Sequence, residues 1–329
     1  MHGAVRRVFA AAVLGTTLTA TGAAAAGAHP GTHGSKGHPA VPRVFTLVPD
    51  PAGSPEGIAV DKRMKRFFVS ITADGAIYSG NVGSDTVSPF IAGTLGDMAV
   101  GLKVHRGKLY VAGGATGTIK VYDLSTKALV ASFDTGAGGF LNDLVVTKKG
   151  DVFVTDSFRP TLWHVSAAHV KAGSGTPQAL DVSASIPFEA GAFNLNGIVA
   201  TGRHTLVVVQ SNTGQLWRIS LGRKLDAIRK ISEITGVSLP GGDGMILDRG
   251  RLVVVQGGPV AQLHFVKLRH GASKARDLGT QTSELLHGSS TVARAGNLYL
   301  VVNADFATAA SPPFTVAGLP RGGHGHGHD

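Results

Sequence analysis

Residues 142–156 read NDLVVTKKGDVFVTD, the clearest copy of a pattern that runs through the chain. The stretch has a polar start, a mostly apolar run, a Lys-Lys-Gly turn and a second run rich in β-branched and aromatic residues. Two such runs around a short glycine-containing turn are typical of a β-hairpin. We therefore expect two antiparallel strands here, with Asn142 at the start of the first.

The same unit recurs along the sequence. Its copies begin at PEGIAVD (55–61), VGLKV (100–104), NDLVV (142–146), NGIVA (196–200), DGMIL (243–247) and GSSTV (288–292). Aligned at positions 56, 100, 142, 196, 243 and 288, they lie 44, 42, 54, 47 and 45 residues apart. That spacing is the length of one four-stranded propeller blade, whereas a sandwich has no fixed period and a solenoid needs shorter units.

A third β-rich run follows most copies, as in TIKVYDL and QLWRIS, which suits an antiparallel meander. The last copy is short of strands, while RVFTLV at 43–48 is a strand without a blade. We expect this N-terminal strand to complete the last blade and remove an exposed sheet edge. The sequence thus predicts an all-β fold, a six-bladed β-propeller over residues 43–320.

The two ends of the chain are unlike the repeats. Arg6 and Arg7 precede a short apolar stretch and small residues, so residues 1–28 are predicted to be a signal peptide of a secreted protein. Residues 29–42 are predicted to be a Gly/Pro/His-rich linker, and 321–329 a His-rich tail. The chain has no cysteine, which excludes a lipid anchor on cysteine and any disulfide.

The charge pattern bears on the partners. The formal net charge is +10, but lysine and arginine are scattered in ones and twos without interleaved aromatic residues. This favours a solvated surface over a nucleic-acid interface. No later stretch is long and apolar enough to predict a membrane span. We expect a soluble monomer whose partner is a small molecule.

The innermost strands of a propeller start at one rim of the central channel, so their first residues converge. The predicted ring consists of Glu56, Val100, Asn142, Asn196, Asp243 and Gly288. Four of these six residues carry oxygen donors, which suit a hard divalent cation, Ca²⁺ above all, with Mg²⁺ or Mn²⁺ as alternatives. Single Asn and Asp residues often only cap turns. Two carboxylates converging at a buried point favour a cation site, because like charges there repel.

These positions carry a family resemblance over about residues 44–320. Glu56 in PEGIAVD, Asn142 in LNDLVVTKKGDVFVTDS, Asn196 in LNGI and Asp243 in GDGMILD resemble the signature positions of the senescence-marker-protein/gluconolactonase family. The resemblance implies that Glu56, Asn196 and Asp243 bind the metal. It also implies that Asn142 lies against the substrate or the metal's water, and that Asp243 is the catalytic base. Paraoxonases and strictosidine-synthase-like proteins share the architecture, so the fold alone does not define the reaction.

Three further residues are candidates for the site. Phe140 stands where members of that family acting on sugar lactones carry an arginine, which points to a less polar substrate or to rim packing. Arg159, in the turn before Pro160, could bind an anionic group of the substrate. His287 adjoins the sixth ring position and is a candidate general base, although a lone loop histidine is more often incidental.

The leading hypothesis is a metal-dependent hydrolase of lactones or related esters, in which the cation polarises the carbonyl and holds a water. Asp243 or His287 would then accept the proton of that water. The alternatives are an extracellular scaffold propeller with a structural metal, and a lyase or cyclase acting on a secondary metabolite. The sequence leaves these alternatives open.

Overall fold

The structure is a computed structural model that describes residues 40–51, 53–63, 65–258, 260–308 and 311–322. The predicted signal peptide (1–28) lies outside the described residues. So do residues 29–39 of the predicted linker and 323–329 of the predicted tail.

Six four-stranded antiparallel sheets form the six predicted blades. Blade 1 contains β2 (Pro55–Asp61), β3 (Arg66–Ile71), β4 (Ile77–Asn81) and β5 (Val87–Ile91). Blade 2 contains β6 (Leu102–His105), β7 (Lys108–Ala112), β8 (Thr118–Asp123) and β9 (Leu129–Asp134). Blade 3 contains β10 (Leu141–Val146), β11 (Val152–Asp156), β12 (Thr161–Val165) and β13 (Gln178–Asp181).

The second half of the chain repeats this arrangement. Blade 4 contains β14 (Leu195–Gly202), β15 (Thr205–Gln210), β16 (Gln215–Leu221) and β17 (Ile228–Ile234). Blade 5 contains β18 (Gly242–Asp248), β19 (Arg251–Gln256), β20 (Gln262–Arg269) and β21 (Lys274–Thr282). Blade 6 contains β22 (Ser289–Ala295), β23 (Leu298–Asn303), β24 (Phe314–Pro320) and β1 (Arg43–Leu47). The prediction of a six-bladed β-propeller is confirmed.

The ring closes as predicted, because the N-terminal strand is the outermost strand of the last blade. β1 pairs antiparallel with β24, from Arg43 opposite Gly318 to Leu47 opposite Phe314. Phe45 and Leu47 are fully buried in a core shared with strands of blades 1 and 6. The edge of β24 is therefore covered by a strand from the other end of the chain.

One short α-helix, α1 (Ala167–Ala172), lies between β12 and β13, within the longest interval between repeats. The Ser166 side chain accepts a hydrogen bond from the His169 N–H at its start, and Gly173 ends it in the left-handed conformation. Six residues are too few to produce a helical periodicity, so the sequence did not predict this helix. Among the described residues, no helix has the length and apolarity needed to cross a membrane.

The innermost strands β2, β6, β10, β14, β18 and β22 contact one another in a closed ring. Five of them, all except β6, carry a register shift at their start, such as the one between Pro55 and Ile58. Such a bulge re-aims the residues inside it. The pairs Ser289–Asn303 and Val292–Val301 set the register of β22. They place Ser290, rather than the predicted Gly288, at the sixth position of the ring. Because β22 begins with the polar residues Ser-Ser-Thr, the apolar run of this copy does not mark the start of the strand.

In four blades the residue after the ring position is a glycine that lies very close to the neighbouring blade. A Cβ added to Gly197 would lie 2.3 Å from the Asp243 carbonyl oxygen, closer than side-chain carbons approach. Corresponding close approaches occur at Gly57, Gly101 and Gly244. Glycine at this position therefore allows the innermost strands to converge.

We expect Gly197→Ala to destabilise the protein by about 1–3 kcal/mol or more, the usual cost of overpacking, because the backbone carbonyl cannot move without shifting β18. Gly202→Ala, at the other end of β14, is the matched control, since a Cβ there meets nothing within 4 Å. Denaturant unfolding of both variants measures the difference. Equal free energies of unfolding would contradict this account of the ring.

Candidate metal centre

Glu56, Asn142, Asn196 and Asp243, here called the ring donors, lie in the bulges of β2, β10, β14 and β18. Each has one buried oxygen without a hydrogen-bond partner: Glu56 Oε2, Asn142 Oδ1, Asn196 Oδ1 and Asp243 Oδ1. A buried oxygen without a partner costs about 1–3 kcal/mol, so four at equivalent positions of four blades need a common explanation. An oxygen-binding cation provides one.

The orientation of the Asn142 side chain follows from its neighbours. Ser157 Oγ donates its single hydrogen to the Leu195 carbonyl at 2.6 Å. It can therefore only accept a hydrogen bond from Asn142. Asn142 Nδ2 donates to Ser157 Oγ at 3.0 Å. The amide oxygen of Asn142 is thereby turned away from Ser157 and left free to act as a ligand.

Glu56 and Asn196 are held by hydroxyl groups of neighbouring blades. Ser290 Oγ donates to the Glu56 carbonyl at 2.8 Å, and Thr291 Oγ1 to Glu56 Oε1 at 3.4 Å. Thr155 Oγ1 donates to the Asn196 carbonyl at 2.7 Å. Blade 6 thus contributes supporting hydroxyl groups, and the ring donors come from blades 1, 3, 4 and 5.

A third carboxylate, Asp143, lies beside the ring donors and was missed in the sequence. Asp143 is 3 % exposed and occupies the position that glycine takes in β14. Its Oδ1 accepts hydrogen bonds from Lys103 Nζ at 2.8 Å and from the Leu144 N–H at 2.7 Å. Asp143 stands where β14 has Gly197, and this replacement of glycine by a carboxylate was the signal in the sequence that could have identified Asp143.

Burial and the repulsion of neighbouring carboxylates raise the pKa values of Glu56 and Asp243. Burial, followed by the charges of Asp243 and Asp143, raises the pKa of Glu56 well above its ordinary value, and Lys103 opposes this shift. Burial raises the pKa of Asp243 to about 7, with Asp143 adding to the rise, while hydrogen bonds from Asn196 and Gly244 lower it. Three carboxyl groups faced by one lysine form a site that favours added positive charge.

The described residues contain no cluster of three or more His, Cys, Asp or Glu side chains that could hold a metal ion. The ring donors combine two carboxylates, Glu56 and Asp243, with two amides, Asn142 and Asn196. Oxygen-only donors of this kind suit Ca²⁺ or Mg²⁺ and disfavour zinc or copper.

The raised pKa of Asp243 predicts that the cation-free protein loses stability between about pH 4 and pH 7. In the folded state the carboxyl group of Asp243 stays protonated up to its raised pKa of about 7. In the unfolded state it ionises above its ordinary pKa of 3.8. The unfolded state therefore binds fewer protons, and stability falls as the pH rises.

Thermal unfolding of metal-free wild type and Asp243→Asn across this range isolates the effect. We expect the melting temperature of the wild type to fall relative to that of the variant as the pH rises. Saturating Ca²⁺ should remove this fall, because it holds the carboxylate ionised. Parallel curves in the absence of the cation would contradict the shifted pKa.

Arg159 is engaged in fixing a loop of blade 3. Its Nε donates to Asp156 Oδ2 at 2.7 Å, its Nη1 to the Thr135 carbonyl at 2.9 Å, and its guanidinium lies over the Trp163 ring. Asp156 is fully buried. These contacts hold the segment that leads into β10. The substrate-binding role of Arg159 remains a prediction.

His287 lies before β22, with its ring directed at the outer strands of blade 6. Its Nδ1 is 2.8 Å from Asp305 Oδ1, and its Nε2 is 3.2 Å from Asn303 Nδ2 and 3.5 Å from Thr315 Oγ1. These partners are not ring donors, so the structure does not bring His287 into the ring. Its role as a general base remains a prediction.

Phe140 is half-buried and packs against two other rim phenylalanines, Phe158 and Phe193. Its N–H donates to Asp156 Oδ1 at 2.9 Å, so the buried carboxylate that holds Arg159 also positions this aromatic residue. Phe140 lies two residues before Asn142, directly before the first residue of β10.

Comparison with known proteins identifies the fold. No family model matches the chain, and no curated protein matches its sequence. Among solved structures, a luciferin-regenerating enzyme is 14% identical, with a TM-score of 0.60 over 87% of this chain and 96% of that chain. A gluconolactonase from Xanthomonas campestris is 16% identical, with a TM-score of 0.58 over 85% and 90%. Regucalcin from Agrobacterium tumefaciens, described as a calcium-binding protein, is 16% identical, with a TM-score of 0.61 over 84% and 93%.

All three are six-bladed propellers of the senescence-marker-protein/gluconolactonase type, and the resemblance stated from the sequence is confirmed in the fold. At these identities the likeness establishes the fold of this chain, and its chemistry has to be argued from its own residues.

Proposed function

We propose that this protein binds one divalent cation, Ca²⁺ before Mg²⁺ or Mn²⁺, at the ring donors and hydrolyses lactones or related esters there. The observation that carries the proposal is the set of four buried, unpartnered oxygens at equivalent positions of four blades. The gluconolactonase and the calcium-binding regucalcin among proteins of the same fold support it. We also propose that the protein is exported, on the sequence of residues 1–28 alone.

The donor set leaves room for a substrate. Ca²⁺ takes 6–8 oxygen ligands, so four protein oxygens leave positions for water and for a substrate carbonyl. A cation bound there would polarise that carbonyl and lower the pKa of water. The carboxylates of Glu56 and Asp243 supply the negative charge that holds it.

The protein groups around the ring have distinct parts in the proposed reaction. Asn142, fixed through Ser157, presents an oxygen of set orientation to the ligand sphere. Asp243 is the proposed acceptor of the proton from the cation-bound water. In the cation-free protein its pKa is raised to about 7, so cation binding near neutral pH is coupled to loss of a proton from this carboxyl group. Lys103 balances Asp143, so that this third carboxylate does not compete for the cation.

A panel of lactones and aryl esters, assayed with and without chelator, tests the proposal. We expect hydrolysis that chelation abolishes and that one added cation restores. Hydrolysis that is unaffected by chelation would contradict the metal mechanism. Cation binding without turnover of any substrate would select the scaffold alternative.

A further inference from the structure

Three phenylalanines form an aromatic cluster on the rim of the propeller. The ring centroids of Phe140, Phe158 and Phe193 lie 5.0–5.5 Å apart, with interplanar angles of 49–87°. Phe158 is 42% exposed and Phe193 47% exposed. Contiguous apolar side chains that remain open to water are one feature of ligand-binding surfaces.

The aromatic cluster adjoins the ring donors. Phe140 precedes Asn142 by two residues and Phe193 precedes Asn196 by three, so their Cα atoms lie within about 7 and about 11 Å of these donors. Ser157, whose hydroxyl orients the Asn142 amide, directly precedes Phe158. The cluster is therefore within reach of the remainder of a molecule whose carbonyl lies at the ring donors.

Buried polar groups hold the aromatic cluster in place. Asp156 Oδ1 accepts hydrogen bonds from the N–H groups of Phe140, at 2.9 Å, and Phe158, at 3.1 Å. Asn194 is fully buried and donates through Nδ2 to the carbonyls of Ser157 and Ala192, at 3.1 and 2.8 Å. The exposed rings are thus presented by a rigid frame, which lowers the entropy lost when a ligand binds.

The surroundings indicate an uncharged apolar ligand. The guanidinium of Arg159, a cation next to the cluster, is bound to Asp156 and to the Thr135 carbonyl. Three phenylalanines of about 150–250 Å² each, with Phe158 only 42% and Phe193 only 47% exposed, offer well under the roughly 800 Å² per partner of a stable protein interface. A small apolar group therefore fits the cluster better than a second protein chain does.

We propose that the aromatic cluster is a subsite for an alkyl or aryl substituent of the substrate, which deepens the proposed function and rests on it. The subsite would select lactones or esters that carry an apolar tail over polyhydroxylated ones. Each methylene buried against the rings should raise kcat/KM by about fourfold until the cluster is covered.

The test is kcat/KM for γ-lactones with alkyl substituents of increasing length, measured on the full chain with Ca²⁺. We expect a steady rise for the wild type and for Phe306→Ala, an exposed phenylalanine on blade 6 outside the cluster. The rise should flatten in Phe158→Ala and Phe193→Ala and return in large part in Phe193→Leu. A flat wild-type series, or an unchanged slope in both alanine variants, would overturn the subsite.

Binding of the corresponding alkyl lactams, which resist hydrolysis, separates this proposal from the proposed function. If no lactone is hydrolysed but lactam affinity rises with chain length and falls in Phe193→Ala, the subsite stands and the hydrolase fails. Lactam affinity that is absent or independent of chain length overturns the subsite. So does a Phe193→Ala variant whose only change is in oligomeric state, since the cluster would then contact a second copy.

Discussion

Asp243→Asn and Glu56→Gln should each abolish cation-dependent hydrolysis and most of the thermal stabilisation given by Ca²⁺. Each substitution keeps the shape of the side chain but removes a charge that the cation needs. Losing an outer-shell partner alone costs about 10–100-fold in metal affinity or activity, and loss of a charged ligand should cost more. At a concentration 100-fold above Kd, a ligand stabilises the folded state by about 2.7 kcal/mol, and the variants should forfeit this.

The measurement is the melting temperature with chelator and with saturating Ca²⁺, together with lactone hydrolysis. Asp305→Asn is the control, because Asp305 is a carboxylate bound to His287 rather than a ring donor. It should keep the stabilisation by Ca²⁺. If Ca²⁺ stabilised Asp243→Asn, Glu56→Gln and the wild type equally, the ring donors would not be the Ca²⁺ ligands.

Phe45→Ala should destabilise the propeller by about 3–5 kcal/mol, the usual cost of removing a buried aromatic side chain. Phe45 is fully buried, and its ring contacts that of Phe67 in blade 1, with centroids 4.9 Å apart. Phe45 lies on β1, the strand that closes the ring. Removing its ring should therefore weaken the pairing of β1 with β24 as well as the packing of the core.

Val44→Ala is the matched control on the same strand, since Val44 is 40% exposed and faces away from the core. Its effect should stay within about 0.5 kcal/mol. Denaturant unfolding of both variants compares them directly. Similar, small effects of both substitutions would show that β1 contributes little to closure of the propeller.

The propeller fold was predictable because one sequence pattern occurs six times along the chain. Six copies of one pattern report the same architecture, so a weak copy such as the one near Gly288 does not alter the conclusion. The same copy gave a wrong ring position, because its strand begins with polar residues and its start is defined by pairing with β23. Register is a tertiary property, and the apolar run alone locates it only approximately.

The site was predictable where it follows the repeat and was missed where it departs from it. Glu56, Asn142, Asn196 and Asp243 take equivalent positions, so the fold implied their convergence. Asp143 interacts with Lys103 of the preceding blade, a pairing that no local pattern contains.

The side-chain directions of Arg159 and His287 depend on partners far along the chain. Thr135 engages the arginine, and Thr315 lies beside the histidine. Their positions in the sequence indicated that both residues lie near the rim. The sequence could not show that Arg159 hydrogen-bonds to Thr135 or that His287 lies beside Thr315.

Calorimetric titration of the full chain with Ca²⁺ is the most direct test of the metal centre, because it measures cation binding at the ring donors without relying on turnover. We expect one Ca²⁺ per chain for the wild type and for Asp305→Asn, and strongly weakened or undetectable binding for Glu56→Gln and Asp243→Asn. Unchanged stoichiometry and affinity in both ring-donor variants would contradict the metal centre, and with it the proposed hydrolase.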